Sequence, residues 1–308
     1  MNTKTGYGFG KTILFGEHFV VYGLPAIVCA LNCKTIASIK KNENLKNDFE
    51  LIDNRPKVST FKKSKTDSYK SLVKNILDFA KIKEKLEITL SGDLVVTSGG
   101  IGASAATAAA ISRALNNCFK LGWDEQRITE AAFIGEKGVH GSPSGIDNTA
   151  AVLGGVLLFK KNKKIEEIKL KQKVEIVLID SGISSDTKKV LEEVKKIKEK
   201  ESNKFNDIFD EYSNLVKQAK ESLLNFDLKE VGQLMNKNHE LLKKINVSCT
   251  KLDEIVELAK KEGAFGAKLT GTGCGGLVVA LTPGKVLQEK VANFFEKNNY
   301  FVLKTSIG

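Results

Sequence analysis

Gly99-Gly100-Ile101-Gly102-Ala103-Ser104-Ala105-Ala106 runs without a break into Thr107-Ala108-Ala109-Ala110-Ile111-Ser112-Arg113-Ala114-Leu115, and the fold turns on how this stretch is read. Residues Gly100 to Ala105 fit the loose pattern G-x-G-x-x-A of a dinucleotide-binding turn. That fold also needs an acid at the end of a second strand, and Asp124, at about the right distance, opens a helix instead, so a Rossmann domain is set aside. The local physics survives the rejection. Small, flexible residues feed an alanine-rich helix whose first-turn N–H groups lack intrahelical partners and carry the positive end of the dipole. Such a segment is either an anion site or a tight turn that lets helices pack closely, and three glycines together with Ser104 favour phosphate.

Outward from this loop, the first half reads as strands at Lys11–Phe15, Ala26–Leu31, Thr35–Lys40 and Leu86–Leu90, with helices near Tyr69–Ala80, Ser104–Phe119 and Asp124–Lys137. Val156–Phe159 and Val174–Ile179 follow as buried strands. After Ser181 the pattern turns to charged amphipathic helices over Asp186–Lys200, Phe205–Leu224, Asp227–Lys244 and Lys251–Lys260. The tail alternates again: strand Ala264–Leu269, glycine turn Gly271–Gly276, strand Leu277–Leu281, helix Val286–Phe295 and strand Tyr300–Lys304. The expected class is α+β, with domains at 1–180 and 181–308.

The 308 residues are 42% hydrophobic and 28% charged, values of an ordinary globular protein rather than a disordered one. Lysine and arginine number 48 against 37 acids, for a net charge of +11, yet only Arg55, Arg113 and Arg127 are arginines. Base reading relies on the guanidinium fork, so the excess reads as a solvated lysine coat and no nucleic-acid partner is expected. Five cysteines without a C-x-x-C pair support neither a disulfide framework nor a zinc knuckle. With no signal-like or membrane-spanning apolar run, a cytoplasmic protein without a membrane partner is expected.

Other segments carry chemistry. Gly10-Lys11-Thr12 resembles the end of a Walker A loop, but Thr5 stands where the opening glycine belongs and Ile13-Leu14-Phe15 continues as a strand. Lys11 is then a strand lysine, either a site residue or a surface charge. Glu17-His18 interrupts an apolar stretch, where a buried polar pair must find partners. In Glu136 to Asn148 one carboxylate ends a helix and a second, Asp147, sits in a Gly/Ser/Pro loop; two acids near an anion loop suit a magnesium–nucleotide enzyme. Gly271 to Gly276, preceded by Lys268 and Thr270, is a second flexible loop, beside a ligand or forming a bulged hairpin. The three histidines, His18, His140 and His239, include no pair at ligand spacing.

In this order the segments resemble the motifs of the GHMP kinases, most closely those of the mevalonate kinases among them. Lys11–Gly23 is similar to the first motif, Gly99–Ala106 to the phosphate loop, His140–Asn148 to the catalytic loop and Lys268–Gly276 to the third motif. The ending Thr305–Gly308 is also similar. The resemblance implies a two-domain α+β kinase, with a ribosomal-protein-S5-like N-terminal domain and a ferredoxin-like C-terminal domain, acting on ATP and the 5-hydroxyl of mevalonate with Mg²⁺. It further implies nucleotide contacts from Gly99, Gly100, Ile101, Gly102, Ala103, Ser104 and Ala105. Mg²⁺ would fall to Ser104 and Glu136, catalysis to Asp147 with Lys11 beside it, and substrate binding to Glu17, His18 and Thr270. Two positions depart from the family: Val96 replaces a proline, and Ala103-Ser104 replaces two successive serines. Phosphomevalonate kinase, which would need a further cationic pocket, and a non-catalytic metabolite-binding protein are the rival expectations. A homodimer is allowed.

Overall fold

The computed structural model describes residues 4–56, 65–95, 100–140 and 144–308. The chain forms two compact units, one of Met1–Lys11 and Ala30–Gly154, the other of Thr12–Cys29 and Gly155–Gly308. The boundary expected near residue 180 falls inside the second of them.

In the first unit, strand β1 (Lys4–Phe15) contributes its beginning, followed by most of β2 (Ala26–Lys41), then β3 (Phe49–Asp53), helix α1 (Lys65–Ala80), β4 (Leu86–Gly92), α2 (Ala103–Phe119), α3 (Glu125–His140) and α4 (Ile146–Leu153). Beyond Leu31, β2 buries Cys33, Thr35, Ala37 and Ile39 at every second position, the period of a strand with one covered face. It pairs antiparallel with β4, Ala37 opposite Leu90, and β3 runs parallel to β4. β1 starts seven residues before the expected strand, because glycines at every second position hide it. Gly6 and Gly8 face α2: a Cβ on Gly8 would lie 2.2 Å from the carbonyl oxygen of Ala106. Helix α2 is consequently buried from Ala105 to Leu115, which accounts for its alanine content. Two of this unit's three arginines are buried. Arg55 pairs with Asp53 and donates to Thr35 and Thr107, and Arg113 donates to the carbonyls of Tyr7 and Val152, both inside the protein.

The second unit carries β5 (Val156–Phe159), β6 (Glu166–Glu167), β7 (Val174–Asp180), α5 (Thr187–Lys200), α6 (Ser202–Asn225), α7 (Leu228–Lys244), α8 (Thr250–Lys261), β8 (Gly266–Thr270), β9 (Leu277–Leu281), α9 (Lys285–Lys297) and β10 (Val302–Ile307). Its antiparallel sheet has the order β10-β7-β9-β8. As the last strand in that order, β8 would leave alternate N–H groups unpaired, a liability that α7 removes. Ala267 N–H donates to Asn236 Oδ1 at 2.9 Å and Leu269 N–H to His239 Nδ1 at 3.4 Å. A 3₁₀ turn at Phe19–Tyr22 is fixed by Tyr212, whose ring stacks on Phe19 at 4.0 Å and whose hydroxyl donates to the carbonyl of Pro25 at 2.6 Å. Among the described residues no helix is long and apolar enough to cross a membrane.

Candidate active site

In the first unit, β1 delivers Lys11 to the glycine-rich loop, where its N–H donates to the Ile101 carbonyl at 2.9 Å. Gly102 stands at φ 69°, and an added Cβ would lie 2.6 Å from Lys11 Cγ, so both the backbone and the lysine stem demand glycine. The stem is sealed in and its Nζ lies 3.0 Å from Asp147 Oδ1, with the Asp147 side chain still 35% exposed. Lys11 is therefore a buried charge aimed at a reachable carboxylate, and the surface-charge alternative falls. Asp147 occupies the first turn of α4 rather than a loop, where the helix dipole favours an anion. Of the residues that suggested a loop, Gly141, Ser142 and Pro143 lie outside the described residues, as do Val96 and Gly99.

Ser104 is in the first turn of α2, and Glu136 sits one turn before the end of α3, only 1% exposed. Among the described residues Glu136 Oε1 has no hydrogen-bond partner. Burial, followed by the charge of Asp147, pushes the Glu136 carboxyl up to about 7, against the opposing pull of a Ser104 hydrogen bond and of Lys11. His140, one turn further along α3, places Nε2 at 3.3 Å from Ser104 Oγ and 3.9 Å from Glu136 Oε2. The sequence reading looked only for histidine pairs and passed over this i, i+4 relation between Glu136 and His140. Among the described residues no three His, Cys, Asp or Glu side chains form a metal cage. A buried carboxylate oxygen with no donor, next to a serine hydroxyl at a helix N-terminus, nevertheless fits a hard divalent cation that draws its remaining ligands from water and phosphate.

The second unit holds the other expected residues. Glu17 and Lys268 are both sealed from solvent, with Lys268 Nζ donating to Glu17 Oε1 at 2.5 Å and to the Leu269 carbonyl at 2.7 Å. Burial pulls the Lys268 ammonium below its ordinary range, and the Glu17 carboxylate opposes that shift. His18 Nε2 lies 2.6 Å from the Thr272 carbonyl oxygen. A carbonyl only accepts, so Nε2 bears the proton and Nδ1 keeps its lone pair. That Nδ1 is buried and has no hydrogen-bond partner among the described residues, while burial lowers the pKa of the ring and keeps it neutral. Thr270, expected at the substrate, has its hydroxyl fully engaged: it accepts from Thr12 Oγ1 and Ile13 N–H, both at 3.1 Å, and donates to the Ile13 carbonyl at 3.2 Å. Its place in the unit is that of a clamp. The following glycine loop is tied down by Cys274 N–H to the Val247 carbonyl and Gly276 N–H to the Ile183 carbonyl, each at 2.8 Å. Lys268 is the residue the sequence reading missed as a partner of Glu17. The available signal was a lysine inside the strand Gly-Ala-Lys-Leu-Thr, every residue of which is buried.

The family models for the GHMP kinases N terminal domain and the GHMP kinases C terminal match residues 68–155 and 219–300. A mevalonate kinase of Thermococcus sibiricus is 32% identical over 302 residues, spanning 92% of this chain and 89% of that protein. The crystal structure of L. major mevalonate kinase in complex with R-mevalonate is similar with a TM-score of 0.94 at 36% identity, over 99% of this chain and 96% of that one. The Methanococcus jannaschii mevalonate kinase structure gives a TM-score of 0.83 at 27% identity, over 100% and 99% of the two chains.

Proposed function

Because the chain belongs to the GHMP kinase family, we propose that the side chains described above serve ATP-dependent phosphorylation of the 5-hydroxyl of mevalonate. The observation that carries this reading is a pair of buried acceptors without hydrogen-bond partners, Glu136 Oε1 and His18 Nδ1. A carboxylate oxygen in that condition takes a cation, and a neutral imidazole nitrogen takes a hydroxyl proton.

The phosphates of ATP lie against the Gly100–Ser104 backbone and the first turn of α2, whose N–H groups and dipole favour anions. Ser104 and Glu136 would hold Mg²⁺, which when bound neutralises charge on the transferring phosphoryl group. His140 orients these two ligands. Asp147 aligns the attacking hydroxyl and takes its proton, and Lys11 stabilises the negative charge that develops on that oxygen. His18 accepts a hydrogen bond from mevalonate through Nδ1. Positioning and charge stabilisation account for most of the chemistry, since a loose phosphoryl-transfer transition state gains little from early deprotonation.

A coupled assay of ADP release with mevalonate and with phosphomevalonate tests the reading. Turnover with mevalonate and none with phosphomevalonate supports it. The reverse preference, or tight binding of mevalonate with no ADP released, replaces it with one of the two rival functions.

A further inference from the structure

Lys268 takes no part in phosphoryl transfer as laid out above, yet it is among the largest fully buried side chains of the protein. A buried ion pair is a poor source of stability, because apolar residues of similar size do as well or better, so its presence asks for another reason. The surroundings supply one. Positions 268, 270 and 272 grip a single stretch of chain, residues 12–18. Lys268 binds Glu17, Thr270 binds Thr12 and Ile13, and the Thr272 carbonyl takes the His18 Nε2 proton. The rail that carries them is itself fixed along its edge by Asn236 and His239 of α7. His18 stands at φ 61°, ψ −43°, a conformation that a side-chain-bearing residue keeps only when its neighbours impose it.

We propose that Lys268 is a positioning residue for mevalonate: by holding the Glu17 carboxylate in one direction, it keeps His18 in its strained conformation with Nδ1 presented to the substrate. This inference rests on His18 being a mevalonate ligand. Without the ammonium, the Glu17 carboxylate loses the donor that fixes its direction, and the backbone at His18 relaxes.

Steady-state kinetics and thermal melts of Lys268→Met, Glu17→Gln, the double variant and His18→Asn test it. Lys268→Met is expected to raise the KM for mevalonate about tenfold while the KM for ATP and kcat stay within about twofold. The double variant is expected to share the KM of Glu17→Gln, because Lys268 acts through that carboxylate. A Lys268→Met enzyme that melts earlier with an unchanged KM for mevalonate has lost only a structural pair, and that outcome overturns the proposal. So does a double variant whose KM is the product of the two single effects. Should Lys268→Met fail to fold, the double variant, which leaves neither charge unpaired, is compared directly with Glu17→Gln on the same criterion. An unchanged KM in His18→Asn overturns the underlying assignment of His18, whereas a raised KM there with none in Lys268→Met overturns this inference alone.

Discussion

Glu136 and Glu17 are both only 1% exposed, but the protein treats the two carboxylates in opposite ways. Glu17 receives an ammonium of its own, 2.5 Å away and equally buried. Glu136 receives a serine hydroxyl and the pull of Lys11, and is pushed up to about 7 by burial and by the charge of Asp147. Where a carboxylate has to keep one direction permanently, the chain supplies the counter-charge itself. At Glu136 the chain supplies no such counter-charge, and in the function proposed above the charge arrives with the metal. Asp147 lies between these cases, paired with a buried lysine yet open on one side.

The sharpest way to break this contrast is at Asp147. Asp147→Asn keeps the shape and removes the charge, and is expected to lower kcat by about 10²- to 10⁴-fold with the KM for ATP nearly unchanged. Lys11→Met should lower kcat as well, and the double variant should lose less than the product if the pair acts as a unit. Steady-state assays at saturating mevalonate decide, and near-normal kcat in Asp147→Asn removes the carboxylate from the mechanism.

Glu136→Gln tests the withheld charge in two ways. Activation should need at least about tenfold more Mg²⁺, read from metal titrations of activity. The metal-free protein should meanwhile become more stable at pH 8. Above the ordinary carboxyl value of 4.5 the unfolded chain releases this proton, while the folded protein keeps it until about pH 7, so stability falls as pH rises across that window. Glutamine, neutral throughout, escapes a penalty of roughly 3 kcal/mol at most. Thermal melts without metal should show the variant ahead at pH 8 and level with the parent near pH 4. A variant that melts below the parent at pH 8 contradicts the idea that Glu136 is strained in the absence of a cation.

A smaller effect is expected on the mevalonate side. His18→Asn should raise the KM for mevalonate about tenfold, the worth of one good hydrogen bond, and leave the KM for ATP unchanged. The opposite selectivity would exchange the roles of the two regions. The smallest effect belongs to β8: Asn236→Ala uncaps Ala267 N–H and should cost about 1 kcal/mol, seen as a melting point lowered by a few degrees with little change in kcat.

Much of this was legible from the order of residues. The helix after Gly102 and the alternating helices and strands of the last third follow from local periodicity, and the structure places them within a few residues of expectation. β1, β3 and α4 were hidden for identifiable reasons. β1 begins in Lys4–Gly10, where alternate glycines erase the apolar signal that marks a strand. β3 shows Phe49, Leu51 and Asp53 half-buried at best, too weak an alternation to stand out. α4 follows a Gly/Ser/Pro run that reads as loop, and its helical character resides in the small apolar residues after Asp147.

By itself, the sequence determined which segments are suited to chemistry, because a glycine loop before a helix, an acid near a second acid, and a polar pair inside an apolar stretch are all defined by near neighbours. It also determined that Glu17 and His18 needed partners, since burying them alone is costly. Only the tertiary structure decided who those partners are. Lys268 lies 251 residues from Glu17 along the chain, and no periodicity links them. The same holds for Lys11 with Asp147, for the clamp that occupies the Thr270 hydroxyl, and for the oxygen of Glu136 that is left without a donor. Such pairings depend on which backbone segments pack side by side, and local propensity is blind to that.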